Sequence, residues 1–144
     1  MPKNTKANPN AASVPACTIG LDLSDQSIRF CMLNASGEVT LRGRFRLNRS
    51  ELHQQFAAMT RSRIALETGA QSAWVSEALA AMGHEVIVAN ARDVKSIAGS
   101  SRKSDARDAE QLARLARLDP KLLHPPRRVL HTYCFRDVRF VLGK

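Results

Sequence analysis

The sequence is short of cysteine, of acidic residues and of any long apolar run. Its three cysteines, Cys17, Cys31 and Cys134, cannot all pair with one another and show no C-x-x-C spacing. That pattern argues against a disulfide scaffold or a structural zinc site, and makes a reducing, cytoplasmic compartment the expectation. No window approaches the ~18 consecutive apolar residues of a membrane span, so no membrane-embedded segment is expected. The N-terminus, Met1-Pro-Lys-Asn-Thr-Lys-Ala-Asn-Pro-Asn, has lysines but no apolar core behind them, and does not read as a signal peptide. Val14-Pro15-Ala16-Cys17 is only a faint match to a lipoprotein cleavage site, because no hydrophobic run precedes it. Acids number 13 against 22 Lys and Arg, which leaves a net charge of +9 on 144 residues. The resulting pI near 10.3 favours a polyanionic partner, either nucleic acid or an anionic membrane surface.

What is present is a globular composition, 44% hydrophobic, in a length that suits one domain. Residues 1–16 are polar, contain Pro2, Pro9 and Pro15, and read as a disordered arm. Order begins at Thr18, where Ile19, Leu21 and Leu23 alternate with Thr18, Gly20 and Asp22 in a strand-like period of two. Ser24-Asp25-Gln26 reads as a turn, Ile28 to Leu33 as a second strand, and Asn34-Ala35-Ser36-Gly37 as a hairpin connection. Val39 to Leu47 alternates most cleanly, with Arg42, Arg44 and Arg46 on one face. Ser50 is a candidate cap for a helix carrying Leu52, Phe56 and Met59 at helical spacing.

Ile64-Ala65-Leu66 is a short apolar run, as in a strand buried on both faces, and it ends in Glu67-Thr68-Gly69-Ala70. A second helix carries Trp74, Val75, Ala78, Leu79 and Met82, and Gly83 is placed to end it. Val86 to Ala89 is a fifth strand, followed by a short helical stretch from Arg92 to Ile97 and a basic loop from Gly99 to Ser104. Ser104 is a candidate cap for a last helix, Asp105 to about Leu118, ended by Asp119-Pro120. The order βββαβαβ plus a helix predicts an α/β fold: a mixed five-stranded sheet in the order 3-2-1-4-5 with helices on its faces. Residues 17–126 form the expected domain, and residues 127–144 an irregular basic tail.

Four carboxylates stand out. Asp22 lies inside a strand between Leu21 and Leu23, although Asp is a poor strand former; the ordinary reading is a solvent-facing position. Glu67 follows a buried strand directly, and its ordinary reading is a turn residue. Asp105 and Asp108 suit the first turn of a helix, where acids complement the helix dipole. They also share a stripe with Leu112 and Leu115, which should turn toward the sheet. Inward carboxylates need protons, cations or metal ions. If the first and fourth strands are parallel neighbours, Asp22 and Glu67 stand at their carboxyl ends, and the last helix brings Asp105 and Asp108 across them. Four such oxygen donors suit Mg²⁺ or Mn²⁺, and two ions together can stabilise both oxygens of a phosphodiester displacement.

Ile19-Gly-Leu-Asp22-Leu-Ser, Ala65-Leu-Glu67-Thr-Gly-Ala and Lys103-Ser-Asp105-Ala-Arg-Asp108-Ala together resemble the N-terminal domain of DEDD-type insertion-sequence transposases, the group related to Piv DNA invertases. The resemblance covers about Thr18 to Pro126. It implies an RNase H-like fold similar to the RuvC Holliday-junction resolvase, and a bacterial, cytoplasmic setting. It also implies that Asp22, Glu67, Asp105 and Asp108 are the catalytic, metal-binding acids of site-specific DNA recombination. Members of the family use a structured guide RNA with target and donor DNA, and a second domain that supplies a nucleophilic serine. With this chain ending at Lys144, the expectation is a truncated copy lacking that domain.

Arg102, Lys103 and Arg107 flank the acids and are candidate phosphate contacts. Arg42, Arg44 and Arg46 could track a nucleic-acid backbone, against the plainer reading of a charged, solvated edge strand. Trp74 reads as core rather than a base-stacking platform, and His53, His84, His124 and His131, which show no ligand spacing, as incidental. Two other readings stay open: a remnant binding nucleic acid through charge alone, and a fragment of an actin-like ATPase or sugar kinase, which begins similarly at Ile19-Gly-Leu-Asp22. The second leaves Asp105 and Asp108 without a role. Homo-oligomerisation is left open too.

Overall fold

A computed structural model describes residues 15–90, Val94 and residues 105–123, excluding the side chains of residues 105–107. Five strands, β1 (Thr18–Leu23), β2 (Ser27–Leu33), β3 (Val39–Arg46), β4 (Arg63–Glu67) and β5 (Glu85–Ala89), form one sheet. Their order is β3-β2-β1-β4-β5, as the sequence predicts. The hairpin-joined strands β1, β2 and β3 pair antiparallel, while β1, β4 and β5 run parallel. The expected RNase H-like α/β architecture is therefore the one observed.

The connections explain the parallel half. Helix α1 (Arg49–Phe56) joins β3 to β4, and α2 (Ser72–Ala81) joins β4 to β5. Both lie on one face, over Ile19, Leu21, Ile28, Phe45, Ile64, Leu66 and Val88 of the sheet, with Leu52, Phe56, Val75 and Leu79 from the helices. Helix α3 (Asp105–Leu118) covers the other face, where Ala109, Leu112, Ala113, Leu115 and Ala116 meet Cys31, Leu33, Ala65, Ile87 and Ala89. After α3 a 3-10 turn, Pro120–Leu123, buries Leu123 in the same layer, and the Leu123 carbonyl accepts from Asn90 N–H at 3.3 Å. Each fully buried Leu or Ile contributes about 1.5–3 kcal/mol.

Several local details differ from the sequence reading. Asn48, not Ser50, caps α1: its extended backbone sets the side-chain oxygen 2.8 Å from Glu51 N–H, and Ser50 lies inside the helix. The hairpin and the end of α2 form as expected, with Gly37 at φ +84° and Gly83 at φ +93°. Trp74 is half-buried against the α1/α2 core, and its indole N–H donates to Gln71 Oε1 at 2.6 Å. Ser104, the loop 99–104, the tail 127–144, His124 and His131 lie outside the described residues. Of the stretch 92–97 only Val94 is described, helical and buried.

His84 is not incidental. It is 3% exposed, and its ring bridges two segments: Nδ1 accepts from Ser62 N–H at 3.2 Å, and Nε2 lies 2.9 Å from the Phe56 carbonyl. Ser62 N–H can only donate and the carbonyl can only accept, so the ring is held with its proton on Nε2. The bridge fixes the chain between the end of α1 and the start of β4. His84→Ala should lower unfolding stability by about 2–4 kcal/mol in urea titrations. His84→Phe should recover only part of that loss, because it restores volume but neither hydrogen bond, whereas exposed His53→Ala should change stability by less than about 0.5 kcal/mol.

Candidate functional site

Strand alternation divides β1 and β4 into two sets. Ile19, Leu21, Ile64 and Leu66 face α1 and α2, so Thr18, Gly20, Asp22, Arg63, Ala65 and Glu67 face α3. The parallel register pairs Leu21 with Leu66. One residue further on, Asp22 and Glu67 stand in line at the carboxyl ends of adjacent strands. Both are half-buried and both are engaged by neighbouring groups.

Gly20 fixes where α3 lies. A Cβ at Gly20 would meet the Ala109 carbonyl oxygen at 1.9 Å and Ala113 N at 2.7 Å, so helix backbone rests directly on strand backbone. The direction of α3 follows from Arg63 at the start of β4, whose guanidinium donates to the Ala116 carbonyl at 3.1 Å. The end of α3 therefore lies over the amino end of β4, and its first turn is directed toward the carboxyl ends that carry Asp22 and Glu67. Asp108 is half-buried on that turn, and Leu112 and Leu115 of the same stripe are buried as expected. Asp105 begins the helix, but its side chain, that of Arg107, and all of Arg102 and Lys103 lie outside the described residues. Among the described residues, no three His, Cys, Asp or Glu side chains are grouped closely enough to hold a metal ion.

The basic residues divide into two kinds. Arg42 pairs with Glu110 of α3, and Glu110 also accepts from Arg114, one helical turn on, at 2.7 Å. Hydrogen bonds from Arg42 and then Arg114 hold the Glu110 carboxyl below the usual glutamate range. Arg114 and Arg117 donate to the carbonyls of Gly37 and Ala35 at 3.2 and 2.8 Å, fastening the helix to the β2–β3 hairpin. Beneath this network burial pushes the Cys31 thiol up, which keeps it protonated. Arg44 and Arg46 are exposed on edge strand β3 and make no ion pair among the described residues. Arg29, which the sequence reading passed over, lies on the same face: the register pairs it with Asp22 on one side and Arg44 on the other. Its only sequence signal is the alternation of β2, which sets it on a face with Cys31.

Residues 19–138 match the family model of DEDD transposases of the IS110 group, described as a transposase. The chain belongs to that family. The match spans all three acid-bearing motifs and extends past Pro126, and membership of this transposase family sets aside the ATPase and sugar-kinase reading. A search of curated proteins finds no match. No helix among the described residues is long and apolar enough to cross a membrane.

Two outcomes test the seat of α3 in this transposase domain. Gly20→Ala should destabilise by about 3 kcal/mol, because the added methyl meets backbone atoms that cannot rotate away, while Gly69→Ala, with open space around it, should cost under about 0.5 kcal/mol. Glu110 contributes through a lowered folded-state pKa, so its stabilisation is present above the ordinary carboxyl range and is lost as pH falls below about 4.3 and through the lowered value. Melting temperatures of the wild type and Glu110→Gln should therefore differ at pH 7 and converge on acidification. A gap independent of pH would show that the tether does not titrate.

Proposed function

We propose that the carboxyl end of the sheet is a divalent-metal site for cutting and joining DNA, built from Asp22, Glu67, Asp105 and Asp108. One observation carries the reading: Asp22 and Glu67 lie side by side on the face that α3 covers, and the acidic first turn of α3 is directed to the same end. The donor set is carboxylate oxygen throughout, which fits Mg²⁺ or Mn²⁺ rather than a thiophilic metal. When bound, such ions supply Lewis-acid stabilisation of a phosphodiester displacement.

The protein's own groups have separate tasks. Asp22 and Glu67 are fixed by strand register and form the rigid half of the site. Asp105 and Asp108 come from a helix and complete it only when α3 is seated on Gly20. Arg102, Lys103 and Arg107, with Arg42, Arg44 and Arg46, offer positive charge to a DNA backbone, and a structured guide RNA would meet the same charge. The family resemblance assigns the nucleophile to a serine of a second domain, separate from the four acids. On that assignment residues 1–144 by themselves, whether monomeric or homo-oligomeric, are expected to bind nucleic acid without recombining it.

Mg²⁺ or Mn²⁺ should raise the melting temperature by mass action, by the equivalent of about 2.7 kcal/mol at a hundredfold excess over Kd. Asp22→Asn combined with Asp105→Asn should abolish the rise, and an unchanged response would remove the site. Filter binding of duplex DNA should weaken steeply with salt as neutralised phosphates release counterions; a flat titration would contradict the electrostatic footing. In a strand-transfer assay with the cognate element, recombination by the 144-residue chain alone would show that the nucleophile lies within it. Salt-sensitive binding with no metal response would instead favour a remnant that binds through charge alone.

A further inference from the structure

Arg49 opens α1, and its guanidinium carbon stands over the Trp74 ring of α2, 5.1 Å from the ring centre. That is within the reach of a cation–π contact. Gln71 stands at the head of α2, yet its side chain makes no cap there; its amide oxygen accepts from the indole N–H instead, at 2.6 Å. The ring is thus aimed by a hydrogen bond at its edge and a cation over its face. Holding α1 to α2 does not require this pair, because Leu52 and Phe56 already share a core with Val75 and Leu79, and an exposed cation–π contact adds little. Arg49 is exposed and makes no ion pair among the described residues. The nearby Glu51 carboxylate is turned to the Arg46 N–H, from which it accepts.

The pair stands at the end of the sheet that carries the acids. Register sets Arg46, the last residue of β3, beside Ser27, and Ile28 beside Leu23 at the end of β1. Helix α1 begins at Arg49, just after β3 ends, and α2 begins at Ser72, soon after Glu67. Both helices therefore start beside the carboxyl ends of β1 and β4, on the face opposite α3. What the pair presents is a planar cation with one side toward an indole. Its other side and its edge N–H donors have no partner among the described residues. That combination suits a nucleotide: guanidinium planes and aromatic rings take unpaired bases by stacking, and the donors take a phosphate. A base inside a duplex is already stacked on its neighbours, and extruding it costs free energy.

We propose that Arg49 and Trp74 hold an unpaired nucleotide of a DNA or RNA strand, with the base against the guanidinium plane and the phosphate on its edge. That the ligand is a polynucleotide rests on the function proposed above; the preference for an unpaired base rests on the pairing of cation and indole. Charge alone attracts any polyanion and does not tell a single strand from a duplex. This pair does, because it takes a base by its face. Lysine in place of Arg49 keeps the charge but presents no plane.

Trp74 is the chain's one tryptophan, so its fluorescence reports on the pair directly. The full 144-residue chain is titrated in EDTA with four labelled probes: single-stranded DNA, RNA of the same sequence, the DNA duplex, and an abasic oligomer with as many phosphates as the single strand. At least one single strand should quench Trp74 emission, and the abasic oligomer should leave it nearly unchanged. By anisotropy, Arg49→Gln should weaken that single strand by about tenfold and the abasic oligomer by less than about twofold. Arg61→Gln, the same charge removed from an exposed position ahead of β4, should change every probe by less than about twofold. Arg49→Lys should recover only part of the loss. Trp74→Leu should match Arg49→Gln and add little to it in the double variant, because the two serve one nucleotide. Circular dichroism melts check that each variant is folded, and Arg49→Lys carries the test if Trp74→Leu is not. The single strand that responds identifies the ligand as DNA or RNA. Equal losses on all four probes, full recovery by lysine, equal quenching by the abasic oligomer, or no binding of any probe at low salt would overturn the nucleotide site. The acids are read separately through the metal-dependent melting shift. Absence of that shift in the wild type with a selective Arg49→Gln effect retains the nucleotide site and sinks the metal site, and the converse sinks the nucleotide site alone.

Discussion

Everything distinctive about this domain depends on the contact between β1 and α3 at Gly20. Most helices ride on a sheet through side chains, at a distance those side chains set. Here the Ala109 carbonyl would lie 1.9 Å from a Cβ at position 20, so helix and strand meet backbone to backbone. The small residues Ala109, Ala113 and Ala116 on the helix and Ala65 on β4 extend the same close approach. The result is a helix that cannot drift sideways without losing contact along several turns. Its direction is fixed separately, by Arg63 reaching the Ala116 carbonyl and by Arg114 and Arg117 holding the hairpin. Arg63, Arg114 and Arg117 all act on the second half of α3, and Arg42 pairs with Glu110 nearer its middle.

The positive charge of the domain is consequently not one reservoir. Arg42, Arg63, Arg114 and Arg117 are engaged by Glu110, Glu85 and backbone carbonyls, contacts that tie strands, hairpin and helix together. Exposed ion pairs of this kind contribute little individually; their value lies in locating the helix. Arg44 and Arg46 have no such employment among the described residues. A net charge of +9 says that a polyanion is favoured, but only the paired and unpaired subsets say where on the surface one would lie.

Strand order and direction were legible in the sequence because each rested on a local signal. Alternation marked β1 to β3, short apolar runs marked β4 and β5 as buried on both faces, and helical connections forced β4 and β5 parallel to β1. The face of Asp22 and Glu67 was legible for the same reason, since alternation assigns a face without knowledge of partners. What could not be read were relations between distant residues. His84 looks like any histidine until Ser62 and Phe56 arrive at its two nitrogens. Gly20 carries no pattern of its own, and Arg29 gains meaning only from the register that sets it between Asp22 and Arg44. The cap of α1 went to Asn48 rather than Ser50 because two polar residues stood within reach and only the backbone angle at Asn48 decided between them.

The sheet's mixed topology bears directly on how a transposase site can be assembled. A strand's carboxyl end is a shared location only among parallel neighbours, so β1 and β4 together can present Asp22 and Glu67 to one point. On its other side β1 pairs with an antiparallel strand, and the residue level with Asp22 is near the start of β2, not its end. That position is Arg29. The switch from parallel to antiparallel pairing at β1 therefore converts a row of acids into a row of bases within one strand spacing. Two carboxylates and two guanidiniums thus stand in one row across the sheet, with β1 as the boundary between them. The two halves cannot be exchanged without reversing a strand, which makes this arrangement of charge a property of the fold rather than of any one side chain.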